Sequence, residues 1–85
     1  MKYRIEFTKA ADRQFSKLPE REQKRLALRI DELADEPRPA GCRKLEGADD
    51  LYRIRSGDYR VVYQVADRVI TVTVVRVGHR RDIYK

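Results

Sequence analysis

The stretch RIRSGDYRVVY, residues 53–63, sets two strand-like runs on either side of a short turn sequence. Ile, Val and Tyr in the runs favour strands, and the serine and glycine between them predict a hairpin. A turn centred on Ser56-Gly57 places Arg55 opposite Asp58, Ile54 opposite Tyr59, Arg53 opposite Arg60 and Tyr52 opposite Val61. Successive side chains point to opposite faces of a strand, so Arg53, Arg55, Asp58 and Arg60 share one face, while Tyr52, Ile54, Tyr59, Val61 and Tyr63 share the other. The apolar face must meet the rest of the protein. The other face gathers like charges, which are mildly destabilising when directly opposed, and Asp58 relieves only one of them. Such a face is either a solvated surface or a site for an anion.

Working outward, YRIEF near the N-terminus alternates apolar and polar residues, with Tyr3, Ile5 and Phe7 on one face. Thr8 offers a helix cap, and Ala11, Phe15 and Leu18 follow at helical spacing, so residues 9–18 predict a short amphipathic helix interrupted by Pro19. A proline suits the start of the next helix, where Glu20 and Glu22 complement the positive end of the helix dipole. Leu26, Ala27, Ile30, Leu33 and Ala34 then form one apolar stripe. The prolines in EPRPAG, residues 36–41, stop this second helix, and residues from there to about 50 read as a loop. Beyond it, LYRIR, YRVVYQV and RVITVTVVRV are three strands in an antiparallel meander. The expected fold is α+β: a small antiparallel sheet with two N-terminal helices packed on one face, in the order β-α-α-β-β-β, as one domain over residues 1–85.

The chain has 85 residues, 41% hydrophobic and 40% charged, which suffices for one thin-cored domain. Twenty Lys and Arg against 14 Asp and Glu give a net charge of +6, which favours an acidic or polyanionic partner such as nucleic acid. Cys42 is the single cysteine, so an internal disulfide and a thiolate metal cage are excluded, in keeping with a reducing cytoplasm. The charged N-terminus and the absence of a long apolar run predict neither a signal peptide nor a membrane span. Glu46, Asp49 and Asp50 sit in a glycine-containing loop and read as turn and solubility residues, so no metal or other cofactor is expected.

The closing VRVGHRRDIY adds Arg76, His79, Arg80, Arg81 and Tyr84 after the last strand, a second basic cluster on a small domain. With GDYRVVY in the hairpin and RVGHRRDIY at the end, the whole chain resembles the RelE family of bacterial toxins, within the RelE/ParE superfamily. The resemblance implies a ribosome-dependent endoribonuclease that cuts mRNA in the A site of the 30S subunit and is held inactive by a cognate RelB-like antitoxin. It implies Arg60, Arg80 and Tyr84 as catalytic residues, with His79 as a further candidate. Arg53 and Arg55 fall on the two basic strand positions that are lysines in the best-known pattern. Arginine stays protonated, so these positions suit phosphate binding better than a general base.

Metal-free RNA cleavage requires alignment, removal of a 2′ proton, protonation of the 5′ leaving oxygen and positive charge around the phosphorane. Arg60 is assigned to the phosphorane and Arg80 to the scissile phosphate, with Arg53, Arg55, Arg76 and Arg81 holding the RNA. Tyr84 can stack on a base or move a proton, although a phenol is a poor base at neutral pH. With His79 the single histidine, a two-histidine mechanism is excluded within one chain. Lys24, Arg25 and Arg29 read as a solvated helix face. Two alternatives remain open: a ParE-like inhibitor of DNA gyrase without nuclease activity, and a non-enzymatic RNA-binding module.

Overall fold

The computed structural model describes residues 2–47 and 50–79. Strand β1 (Arg4–Phe7) leads into helix α1 (Lys9–Ser16), where the Thr8 side chain accepts a hydrogen bond from the Ala11 amide at 3.1 Å, as the sequence predicted for a cap. Helix α2 (Glu20–Glu32) follows Pro19. Gln23 ties the two helices together: its Nε2 donates to the Leu18 carbonyl at 2.9 Å and to the Ser16 carbonyl at 3.2 Å, at the end of α1 where carbonyls lack intrahelical partners. Leu26, Ile30 and Leu33 from the predicted stripe are buried against Ile54, Val61, Tyr63, Val65, Val72, Val74 and Val77 of the sheet. Each fully buried aliphatic side chain contributes about 1.5–3 kcal/mol.

The sheet has five strands in the order β1-β5-β4-β3-β2, with β2 at Arg43–Lys44, β3 at Leu51–Ser56, β4 at Tyr59–Ala66 and β5 at Thr71–His79. Four details depart from the sequence reading. First, the sheet is mixed, because β1 lies parallel to β5, with Ile5 beside Val72 and Phe7 beside Val74. Second, residues 43–44, expected in a loop, form an antiparallel edge strand on β3; two residues are too few to show a period. Third, Asp67–Val69 form a 3₁₀ turn closed by Ile70 in the left-handed region (φ 48°), so the last strand starts at Thr71 rather than Arg68.

The fourth departure concerns the hairpin register. The turn residues are Gly57-Asp58, so Ser56 faces Tyr59, Arg55 faces Arg60, Ile54 faces Val61 and Arg53 faces Val62. Arg53 therefore lies diagonal to Arg60, not opposite it. Gly57 has φ +62°, the left-handed value that a two-residue hairpin turn with glycine in its first central position requires. A Cβ there would also meet Arg25 Nη1 at 3.1 Å. The shift leaves the strand residues on their predicted faces, while Asp58, expected opposite Arg55, becomes a turn residue.

Candidate functional site: an arginine face of the sheet

The helices cover one side of the sheet, and the functional candidates fall mostly on the other. Pairing runs Arg43–Arg53–Val62–Arg76 across β2, β3, β4 and β5, and the next row on the same face runs Arg55–Arg60–Gly78. Five arginines thus occupy two adjacent rows. Arg43 was not singled out from the sequence, because only its pairing with Arg53 reveals it.

Burial separates these arginines. Arg53 and Arg60 are 9% and 8% exposed, far from the solvated positions a surface reading implies, while Arg55 is exposed. Burial lowers the Arg53 pKa from its usual value, and the like charges of Arg60, Arg55 and Arg43 lower it further. A guanidinium remains protonated through such a shift, so the face holds concentrated positive charge at neutral pH. An anion that meets it is drawn to a site already partly desolvated, where electrostatic interactions are stronger than in bulk water.

A bulge shapes this face. Between the Val62–Arg76 and Tyr63–Val74 pairs the register shifts, leaving Val75 as an extra residue in β5. Val74 and Val77 point into the core, and the consecutive Val75 and Arg76 both line the arginine side. Thr8, the cap of α1, and Gln14 within it hold the bulge in place. The Thr8 amide donates to the Val74 carbonyl at 3.0 Å, Thr8 Oγ1 donates to the Val75 carbonyl at 3.5 Å, and the Val77 amide donates to Gln14 Oε1 at 2.8 Å. Beneath Arg53 and Arg76 lies a hollow of about 480 Å³ lined by Leu45, Glu46, Leu51, Val62 and Val75.

The structure does not bring His79 to this face. It pairs with Tyr59 on the helix side, where the two rings meet edge to face with centroids 5.6 Å apart, beside Gln14, Leu18 and Pro19. Arg80, Arg81, Tyr84 and Asp49 lie outside the described residues. Asp50 accepts a hydrogen bond from Gln64 Nε2 at 2.6 Å. Among the described residues, no group of three or more His, Cys, Asp or Glu side chains could hold a metal ion. Lys24, Arg25 and Arg29 form ion pairs along α2 with Glu20, Glu22 and Glu32. Arg29 also reaches the Arg55 carbonyl at 3.4 Å.

An α+β domain with an arginine-rich sheet face matches a family of known toxins. The family described as "ParE toxin of type II toxin-antitoxin system, parDE" matches residues 5–84, and the chain belongs to it. Within that family its relatives carry RelE names. It is 37% identical over 82 residues to the mRNA interferase toxin RelE of Escherichia coli K12, covering 94% of this chain and 85% of that protein. It is 36% identical to toxin RelG of Mycobacterium tuberculosis, covering 100% of this chain and 99% of the relative. Among solved structures, RelE in the archaeal RelE–RelB complex of Pyrococcus horikoshii superposes with a TM-score of 0.82 at 34% identity, covering 94% of this chain and 97% of that one. No helix among the described residues is long and apolar enough to cross a membrane.

Proposed function

We propose that this chain is a ribosome-dependent endoribonuclease that cuts mRNA in the ribosomal A site. It acts as the toxin of a pair whose RelB-like antitoxin holds it inactive, and it works in the cytoplasm as a single domain over residues 1–85. The observation that carries this reading is the pair of arginine rows on the sheet face opposite α1 and α2. The buried Arg60 and Arg53 supply positive charge where a phosphate would lie, with Arg43, Arg55 and Arg76 around them. The mRNA interferase name of the E. coli relative supports the reaction, and the RelE–RelB complexes support the antitoxin.

In this reading the substrate 2′-oxygen attacks the adjacent phosphorus, the bond to the 5′ oxygen breaks, and a 2′,3′-cyclic phosphate and a 5′-hydroxyl result. Arg60 stabilises the phosphorane, whose extra negative charge forms only in the transition state. Arg53, Arg55 and Arg76 hold the flanking backbone. Arg80 contacts the scissile phosphate, Arg81 the RNA, and Tyr84 stacks on a base or transfers a proton. Arginines are poor proton acceptors, so alignment of the substrate by the ribosome supplies what matched acid–base groups would otherwise provide.

The test is primer extension on a defined mRNA in a purified translation system, with and without ribosomes, comparing wild type with Arg60→Ala. Cuts that require both the ribosome and Arg60 are expected. A folded protein that makes no cuts but blocks gyrase supercoiling would move the chain to the gyrase-directed branch.

A further inference from the structure

Strand β1 ends at Phe7, which pairs with Val74, so the outer edge of β5 from Val75 onward has no strand beside it among the described residues. Helix α1 serves that edge instead. The Gln14 side chain reaches across from the helix, and its Oε1 accepts a hydrogen bond from the Val77 amide at 2.8 Å, where the carbonyl of a neighbouring strand would otherwise do so. A backbone amide left unpaired in a buried residue is costly, so this bond holds Val77 at a fixed place on the edge.

That hold matters for the arginine side. Without the extra residue in β5, alternation from the buried Val74 would turn Arg76 toward the helices and Val77 away from them. With it, Val77 is 2% exposed in the core, and Arg76 lines the arginine side beside Val62. Bulges re-aim side chains in this way, and the place of the extra residue decides which ones. Arg76 itself is exposed and has no ion pair or side-chain hydrogen bond among the described residues. Its direction therefore comes from its backbone alone. That backbone lies between Val75, whose carbonyl accepts from Thr8 Oγ1, and the latched Val77. Gly78, the next residue, pairs with Arg60, so the same hold fixes β5 against the Arg55–Arg60 row.

We infer that Gln14 is a positioning residue for RNA binding: by accepting the Val77 amide it locks the β5 bulge and aims Arg76 at the sugar-phosphate backbone. It rests on the reading of the arginine face as an RNA-binding surface. Gln14 itself lies on the helix side with Leu18, Tyr59 and His79, so it acts through Arg76 rather than on the RNA.

The test is a double-mutant cycle on the whole chain, with binding of a 2′-O-methyl hexanucleotide followed by fluorescence anisotropy over a range of salt concentrations. Blocking the 2′-oxygens prevents cleavage, so binding is read without catalysis. Arg76→Ala should weaken binding about threefold and reduce the slope of log K against log salt by about 0.7, the share of one phosphate contact on a single strand. Gln14→Met, which removes the acceptor and keeps the length of the side chain, should do the same and should add nothing in the Arg76→Ala background. Gln14→Glu, which keeps an acceptor oxygen, should retain the wild-type slope. Should circular dichroism show Gln14→Met to be unfolded, the cycle is read with Gln14→Asn, whose oxygen is one methylene further from Val77. Additive losses in the double variant, an unchanged slope in either single variant, or a loss in Gln14→Glu equal to that in Gln14→Met would each overturn the inference. Failure of the nuclease reading is seen separately, as a chain that binds the oligonucleotide but makes no cuts in the translation assay.

Discussion

Arg38 and Arg53 flank the same part of β3 from opposite faces, Arg38 against Tyr52 and Arg53 as the next residue along the strand, and their surroundings push them in opposite directions. Arg38 Nη2 donates to Asp67 Oδ2 at 2.8 Å, its Nε donates to the Tyr52 hydroxyl at 3.0 Å, and its guanidinium lies 5.1 Å from the centre of the Tyr52 ring. The Tyr3 hydroxyl donates to Asp67 Oδ1 at 2.6 Å, so one cluster ties the N-terminus, the segment after α2 and the turn before β5 together. The hydrogen bond that Arg38 donates to Asp67 raises the Arg38 pKa, with a further contribution from the one it donates to Tyr52. For Arg53, burial and three arginine neighbours lower it. The first arrangement favours the folded chain by local charge complementarity. The second gathers like charges on one buried patch, an arrangement that perturbs a titratable group and points to a candidate functional site.

Substitutions on the two faces should therefore separate function from stability. The largest effect is expected for Arg60→Ala, which should lower ribosome-dependent cleavage by about 10²–10³-fold while circular dichroism shows an intact fold. A loss of less than about tenfold would place the essential charge elsewhere. Arg53→Met sharpens the contrast. Replacing a buried cation crowded by like charges with an apolar side chain of similar length should stabilise the fold by about 1 kcal/mol in urea unfolding while weakening RNA binding. Destabilisation would show that Arg53 also holds the sheet together.

On the opposite face, Tyr63 is fully buried and its hydroxyl donates to the Pro37 carbonyl at 2.8 Å. Tyr63→Phe should cost about 1 kcal/mol with no change in cleavage. The smallest effect is expected from acid. Hydrogen bonds from Arg38 and then Tyr3 hold the Asp67 carboxyl below its ordinary pKa of 3.8. Its contribution is present above the unfolded value and is lost as pH falls through the lower folded one. Both partners are solvent-exposed, so the difference between wild type and Asp67→Asn in melting temperature should be small at pH 7 and should disappear as pH falls below about 4.

Much of this was legible in the sequence. Thr8, the spacing of Ala11 and Phe15, and the Leu26–Ile30–Leu33 stripe located both helices, and alternation through residues 51–65 assigned Arg53, Arg55 and Arg60 to one face. The hairpin register was missed because Ser56-Gly57 and Gly57-Asp58 are both plausible turn pairs. The choice depends on which residue takes the positive φ, and Gly57 takes it at the first turn position. The bulge left a sequence signal that the strand reading passed over: Val72, Val74 and Val77 are buried at spacings of two and then three, a break in alternation. His79 was grouped with the basic tail by proximity in sequence, whereas strand alternation puts it beside Tyr59 on the helix side.

The sequence by itself determined the elements, the side of the sheet that each hairpin residue occupies, and a basic surplus suited to RNA, because periodicity and composition are local properties of the chain. Only the tertiary structure decided that β1 runs parallel to β5, that Arg43 joins Arg53 and Arg76 in one row, and that Val75 and Arg76 turn together toward a hollow. Those outcomes depend on pairings between distant segments, on one glycine's backbone angle and on one extra residue in a strand. Such choices are fixed when the sheet closes against the helices and its backbone hydrogen bonds must all be placed at once.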